Sequence, residues 1–298
     1  MSATIVCGTD GSSEAQRAAS VAARLARDLN SPALLVHVDE DAPELPFGLR
    51  WPRPGRATRR RKMLRATAEE CCFPSETQLR VKRGDPAREL LSVAENEDAE
   101  LVVVSARGRG PAGPGLLGGT ASALMHMCPC PVVVVPTKSI PPLDTEEMRS
   151  VVCGVEGRES DPRALRLAAD LAARLGGDLH AVHGYETSEA PGTTTVEPAG
   201  QSDEELHTAA LRDLTLAVIK AGVEARRHVL AVPLHEALER VAREERAGLI
   251  VVGPPERGAP TPVAVRLAVE GSTALAVLPT QAELEAGSGH YELAATAA

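Results

Sequence analysis

The sequence predicts an α/β protein made of two tandem, doubly wound domains, each a five-stranded parallel sheet. Three observations lead there: an internal repeat, short apolar runs alternating with helical patterns, and a length of 298 residues that suits two domains. The repeat is plain at its start. Thr4-Ile5-Val6-Cys7-Gly8-Thr9-Asp10-Gly11 returns as Ser150-Val151-Val152-Cys153-Gly154-Val155-Glu156-Gly157, an offset of 146 residues. The offset becomes 148 at Leu101–Val104 against Leu249–Val252, and 143 at Val132–Pro136 against Leu275–Pro279. The second copy has therefore lost five residues between its last two strands, where the first copy holds its glycines. Residues 1–138 and 148–280 are the expected domains. The segment between them contains Pro141-Pro142, and residues 281–298 read as a disordered tail.

In the first copy, Thr4–Cys7, Ala33–Val38, Glu76–Lys82, Leu101–Val104 and Val132–Val135 are short and largely apolar, as buried parallel strands require. Ala15, Ala18, Ala19, Ala22, Leu25, Ala26 and Leu29 recur at helical spacing, with Ser13 and Gln16 offering a capping box. Asp85-Pro86 supplies a capping carboxylate and a first-turn proline for a helix over 87–96. Gly119–Met127 is the last helix. In the second copy Asp161-Pro162 starts the first helix.

Composition narrows the function. Net charge is −9 and aromatics are 2%, which argues against nucleic-acid binding and leaves the cores to Ala, Val and Leu. No apolar run reaches the roughly 18 residues that span a bilayer, and the N-terminus carries no secretory pattern, so a cytoplasmic protein without membrane contact is expected. The six cysteines are then reduced thiols, and Cys128-Pro129-Cys130 has no second pair at zinc spacing. Cys7 and Cys153 are equivalent and read as small core residues; Cys71-Cys72 is oxidation-sensitive if exposed. His37 and His183 are also equivalent, with structural roles expected. Residues 1–143 carry 18 basic and 16 acidic side chains, the remainder 14 and 25. Arg50, Arg53, Arg56, Arg59, Arg60, Arg61, Lys62 and Arg65 form a basic stretch that reads as a solvated face, or as an arm against the acidic half or an anionic partner.

In a doubly wound sheet, ligands bind beyond the carboxyl ends of the strands. Two segments follow strands there: Gly8-Thr9-Asp10-Gly11-Ser12, and Ser105-Ala106-Arg107-Gly108-Arg109-Gly110 running on to Gly118-Gly119-Thr120. Glycines let backbone amides turn toward an anion, and a helix starting near Gly119 adds its dipole.

These residues, with Val81-Lys82-Arg83-Gly84-Asp85-Pro86 and the closing Cys130-Pro131-Val132-Val133-Val134-Val135-Pro136, resemble the universal stress protein family across nearly all of both halves. The resemblance implies a Rossmann-like fold of the adenine-nucleotide alpha-hydrolase type. The family's signature is glycine, two residues, glycine, nine residues, glycine, then serine or threonine; here it falls on Ser105, Gly108, Gly118 and Gly119 with the spacing intact. Ser105 stands where the family has glycine, and Gly119 where it has a hydroxyl, with Thr120 one residue on. Adenine and ribose contacts would then fall on Asp10 and on the backbone of Gly8, Thr9 and Val38. Phosphate contacts would fall on Arg107, Gly108, Gly110, Gly118, Gly119 and Thr120. By their own residue types, Asp10 serves equally as a helix cap and Arg107 as a solvated loop arginine.

The resemblance implies a non-enzymatic nucleotide-binding regulator of the stress response. ATP is the first choice of ligand, AMP or cyclic AMP are variants, and Mg2+ enters only with the nucleotide. No Lys-Ser/Thr follows the glycine loop, so a phosphate-binding NTPase is not indicated, although slow hydrolysis stays open. Two rivals remain. One is a nucleotide-free interaction module. The other is an adenylating hydrolase of the pyrophosphatase type, whose serine-glycine-glycine-x-aspartate-serine loop Gly8–Ser13 does not match. In the second half Thr261 and Pro262 replace Gly118 and Gly119, Glu156 replaces Asp10, and Glu256 lies in the loop, so that half is expected to keep the fold and lose the nucleotide. The family's habit of pairing through its last strands implies a pseudo-twofold pair within the chain, with a homodimer of chains left open.

Overall fold

A computed structural model describes residues 4–40, 56–110, 115–139, 149–186, 202–254 and 261–280. The first half runs β1 (Thr4–Gly8), α1 (Ser13–Asp28), β2 (Ala33–Asp39), α2 (Arg56–Glu70), β3 (Gln78–Arg83), α3 (Pro86–Asn96), β4 (Ala99–Ser105), α4 (Gly119–Met127) and β5 (Val132–Val135). The second repeats it as β6 (Val151–Gly154), α5 (Asp161–Leu175), β7 (Leu179–Gly184), α6 (Asp203–Ala221), β8 (Arg226–Leu230), α7 (Leu234–Glu244), β9 (Leu249–Val252), α8 (Pro262–Glu270) and β10 (Ala274–Val277). The expected tail and most of the interdomain segment lie outside the described residues, as do Arg50 and Arg53.

All ten strands form one sheet in the order β3-β2-β1-β4-β5-β10-β9-β6-β7-β8. Within each half every pairing is parallel, and the order reverses between β1 and β4 and again between β6 and β9. The halves meet at β5 and β10, the one antiparallel pair among the described residues, with Val133 opposite Ala276. That mirrored order gives the chain the internal pseudo-twofold expected from the resemblance.

Alternation along each strand sends side chains to two cores. Ile5, Cys7 and Leu35 face α1 and α2, joined by Leu165, Cys153 and Leu214 of the second half. Val6, Leu34 and Val36 face α3 and α4, joined by Val152, Leu238 and Leu267. Alanines dominate the helix faces, so the helices sit close to the sheet without large side chains. Cys7 and Cys153 are completely buried, as small core residues should be, and burial pushes both thiols well above their ordinary pKa. Of the adjacent pair, Cys71 is buried and Cys72 exposed. Arg174 of α5 crosses to the first half and pairs with Glu100 of β4, its Nη2 also reaching the Ser31 hydroxyl at 3.4 Å.

Two local readings need correction. Ser13 is not the cap of α1: Ser12 is, its Oγ accepting from the Ala15 amide at 3.1 Å, so the Ser13–Gln16 capping box does not form. Asp10 does not cap the helix either. By contrast, Asp85 caps α3 through the Arg88 amide at 2.9 Å, with Pro86 in the first turn. The basic stretch is partly anchored in its own half, where Arg60 reaches Asp39 at 3.3 Å; that arginine is not directed at the acidic half.

Candidate nucleotide site

The carboxyl ends of β1 and β4 lie side by side at the reversal point, where doubly wound sheets place their ligands. Their first turns are locally determined. Thr9 is buried: its amide donates to Val36 O at 2.9 Å, and its hydroxyl accepts from the Gly11 amide at 3.2 Å. Gly11 has a φ of +75°, which a side chain would resist. Asp10 Oδ1 accepts from the Ser12 amide at 2.8 Å, a turn that aspartate favours.

Asp10 also ties the two loops together. Its Oδ2 accepts from the Arg109 amide at 2.6 Å, while Arg109 Nη2 donates to Gly11 O at 2.9 Å. A Cβ on Gly108 would stand 2.6 Å from Asp10 Oδ2, so glycine there permits the contact. Burial raises the Asp10 pKa, but the Ser12 and Arg109 hydrogen bonds and the Arg109 charge outweigh it, and the net shift is downward. Three hydrogen bonds reach the carboxylate, from the Ser12 hydroxyl and amide and the Arg109 amide, which leaves about one of its roughly four lone-pair sites for a further donor.

The base of the long loop is closed from both sides. Ala106 N donates to Val135 O and Gly118 N to Ala106 O, each at 2.8 Å. Ser105 turns its hydroxyl onto Arg107 O. Arg107 is not simply solvated: its Nε donates to Leu116 O at 3.0 Å and braces the loop's ends. Gly108, Gly110 and Gly119 are exposed, Thr120 is half-buried, and residues 111–114 lie outside the described part. Gly8 sits where a Cβ would meet Leu90 at 2.8 Å, and Val38, next to last in β2, packs against the core. Thr9's main-chain N–H and O are committed within the fold, so its part is to shape the turn.

The start of α4 is the decisive chemical feature. Gly118 holds the N-cap position with φ −67° and ψ 145° and supplies no side-chain cap, so the first-turn amides are left without a side-chain acceptor from the cap. At α8 the equivalent Thr261 caps its own helix, accepting from Ala264 N at 3.2 Å, and Pro262 has no amide hydrogen. A cleft of about 470 Å³ persists in the second half, bordered by Glu156, His183, Gly184, Glu186, His235 and Arg266. There the turn after β6 is organised by Asp161, which accepts from the Glu156 and Arg158 amides at 3.0 and 2.7 Å. This cleft thus borders a helix start whose first amide hydrogen is missing and whose cap is its own threonine.

A sequence model of the Universal stress protein family matches residues 1–136 and again 147–278. The chain belongs to that family. A universal stress protein of Mycobacterium tuberculosis is 30% identical over 269 residues, covering 85% of this chain and 88% of its own. A second from the same species is 30% identical over 272 residues, covering 85% and 87%. A crystal structure of a universal stress protein from Archaeoglobus fulgidus shares the fold with a TM-score of 0.61 at 16% identity, covering 93% of this chain and 98% of that one. Among the described residues of this universal stress protein, no helix is long and apolar enough to cross a membrane.

Two contributors were not legible as site residues. Arg109 acts through its amide and guanidinium on a partner 99 positions away in the chain, which no local pattern signals. His37, expected to be structural, holds the Thr9 turn: Nδ1 donates to Thr9 O at 2.8 Å, while Nε2 is buried without a partner. Burial, with the Arg60 charge beside it, lowers the His37 pKa below its ordinary 6.5. The fold therefore holds the neutral ring. Above pH 6.5 neither state is protonated and this group contributes no pH dependence; below it the unfolded chain binds the proton first and stability falls. The urea midpoint should drop between about pH 7 and 5.5. His37→Asn, whose amide nitrogen replaces the Nδ1 donor, should make that drop shallower; an unchanged slope would show that His37 is not the titrating ring.

Proposed function

We propose that the first half, residues 1–138, binds one adenine nucleotide, and that the second, residues 148–280, does not. The observation that carries this is the difference between the two helix starts. The α4 start offers amides without a side-chain cap at the end of a glycine loop. The α8 start is closed by Thr261 and Pro262. ATP is the favoured ligand, with phosphates at Gly118, Gly119 and Thr120 and near Arg107, Gly108 and Gly110. The ribose would meet the remaining lone pair of Asp10, and adenine the strand ends at Gly8 and Val38. AMP and cyclic AMP fit the same reading with fewer phosphate contacts, and Mg2+ would enter only as a companion of the phosphates.

The residues present fit such a ligand. Gly119 faces open space, and the Ser105 side chain is drawn onto Arg107 O. Binding would stiffen the loop between β4 and α4 and thereby bias the β5–β10 junction that follows it. The protein would act as a non-enzymatic, cytoplasmic stress-response regulator. The nucleotide released by heating purified protein, and the melting temperature with added ATP, test this directly. ATP at 100 times its dissociation constant should add about 2.7 kcal/mol of stability. Protein that releases no nucleotide and gains nothing from millimolar ATP would leave the interaction-module reading in its place.

A further inference from the structure

The two halves are each other's control, and at one place they differ in a way that the nucleotide reading does not use. At the amino-terminal end of the second half's strands, away from the cleft, His180 on β7 and His228 on β8 lie on the same sheet face, beside Glu245 at the C-cap of α7. The strand registers make the equivalents unambiguous. His180 pairs with Arg226 and Val182 with His228; in the first half Leu34 pairs with Gln78 and Val36 with Arg80. The first-half counterparts are thus Leu34, Arg80 and Glu97, the last at the C-cap of α3. There Arg80 and Glu97 form an ion pair at 2.6 Å. The second half keeps the glutamate and exchanges the arginine and the leucine for two imidazoles.

Those imidazoles touch: His180 Nδ1 and His228 Nε2 are 3.0 Å apart, and His180 Nε2 is 3.9 Å from Glu245 Oε2. One ligand atom from each of the three residues lies within 4.8 Å of the others. Two nitrogens bound at 2.0–2.1 Å to a tetrahedral ion stand about 3.3 Å apart, so a small opening of the ring pair would admit one. We propose that His180, His228 and Glu245 form a binding site for a borderline divalent cation of the zinc class. A two-imidazole, one-carboxylate set suits that class and leaves a position for water. His180 is 1% exposed, so the packing around it holds the ring in place. Arg226 pairs with Asp178 at 2.9 Å and comes within 4.0 Å of Glu245. Its side chain is 63% exposed, so it can turn out to solvent when a cation arrives. A bound ion would staple the edge strand β8 and its neighbour β7 to the end of α7.

The test uses the full chain, treated with chelator and dialysed, then titrated with Zn2+ alone by calorimetry and with Co2+ by visible absorption. The expected result is one equivalent bound at micromolar concentration, with the intense visible band of tetrahedral Co2+. The double variant His180→Leu, His228→Arg installs the first half's own residues, and it should bind neither ion while its circular dichroism is unchanged. Should that variant misfold, Glu245→Gln is the second probe and should weaken binding at least tenfold. Absence of uptake by the parent chain, or uptake undiminished in the variants, overturns the proposal.

Discussion

Gly119→Pro should make the protein slightly more stable and bind ATP far more weakly. Proline is favoured at the first helical position, because the hydrogen it lacks has no intrahelical acceptor there. The residue before it must be extended, and Gly118 already is, with ψ of 145°. A Cβ at Gly119 meets nothing within 4 Å. The apo chain should therefore gain about 0.4–1 kcal/mol, the usual benefit of a proline in a compatible place. One amide hydrogen that would face the phosphates in the proposed complex is lost. A hydrogen bond to a charged group contributes about 1.5–3 kcal/mol, so affinity should fall roughly ten- to a hundredfold. Gly119→Ser should instead strengthen ATP binding, restoring the hydroxyl of the family signature in open space. ATP calorimetry on the two variants gives opposite signs if α4 holds the phosphates. Unchanged ATP binding in the proline variant would remove α4 from the site.

Gly184→Val should be among the most damaging single changes in the second half. The residue ends β7, and a Cβ there would lie 2.6 Å from Val232 O and 2.7 Å from Leu234 Cα. Both are backbone atoms that no rotamer change can clear. The first half carries Val38 at the same place, so its β3–α3 connection stands further off. The cost should be about 3 kcal/mol, in the upper range for a point substitution, and the melting temperature should fall by roughly 6–12 °C. Val38→Ala, the counterpart in the first half, removes only part of a half-buried side chain and should cost well under half as much. Equal effects would mean that the tight approach of the β8–α7 connection is not structural.

The architecture was legible because it rests on short-range pattern. Val132–Val135 is a strand in sequence and in space, and Asp85-Pro86 starts its helix as its chemistry requires. Elements at the surface read less sharply: β3 was expected from Glu76 and begins at Gln78, since its ends have no buried periodicity. A candidate site could be read from the sequence where glycines and a family spacing mark it, at Gly108 and Gly118. It was illegible where a residue acts at a distance, as Arg109 does on Asp10. The cap of α1 was misplaced by one residue because Ser12 and Ser13 are chemically alike, and only the turn built by Asp10 decides between them.

The sequence by itself determined the duplication, the alternation of strand and helix, the cores built mainly of Ala, Val and Leu, and the loss of glycines from the second loop. These follow from periodicity and from what each residue's backbone permits. The tertiary structure alone decided that Asp10 clamps two loops and that His180, His228 and Glu245 meet. Such contacts join positions tens of residues apart, and their geometry is fixed by strand register and helix packing, which no stretch of chain encodes alone.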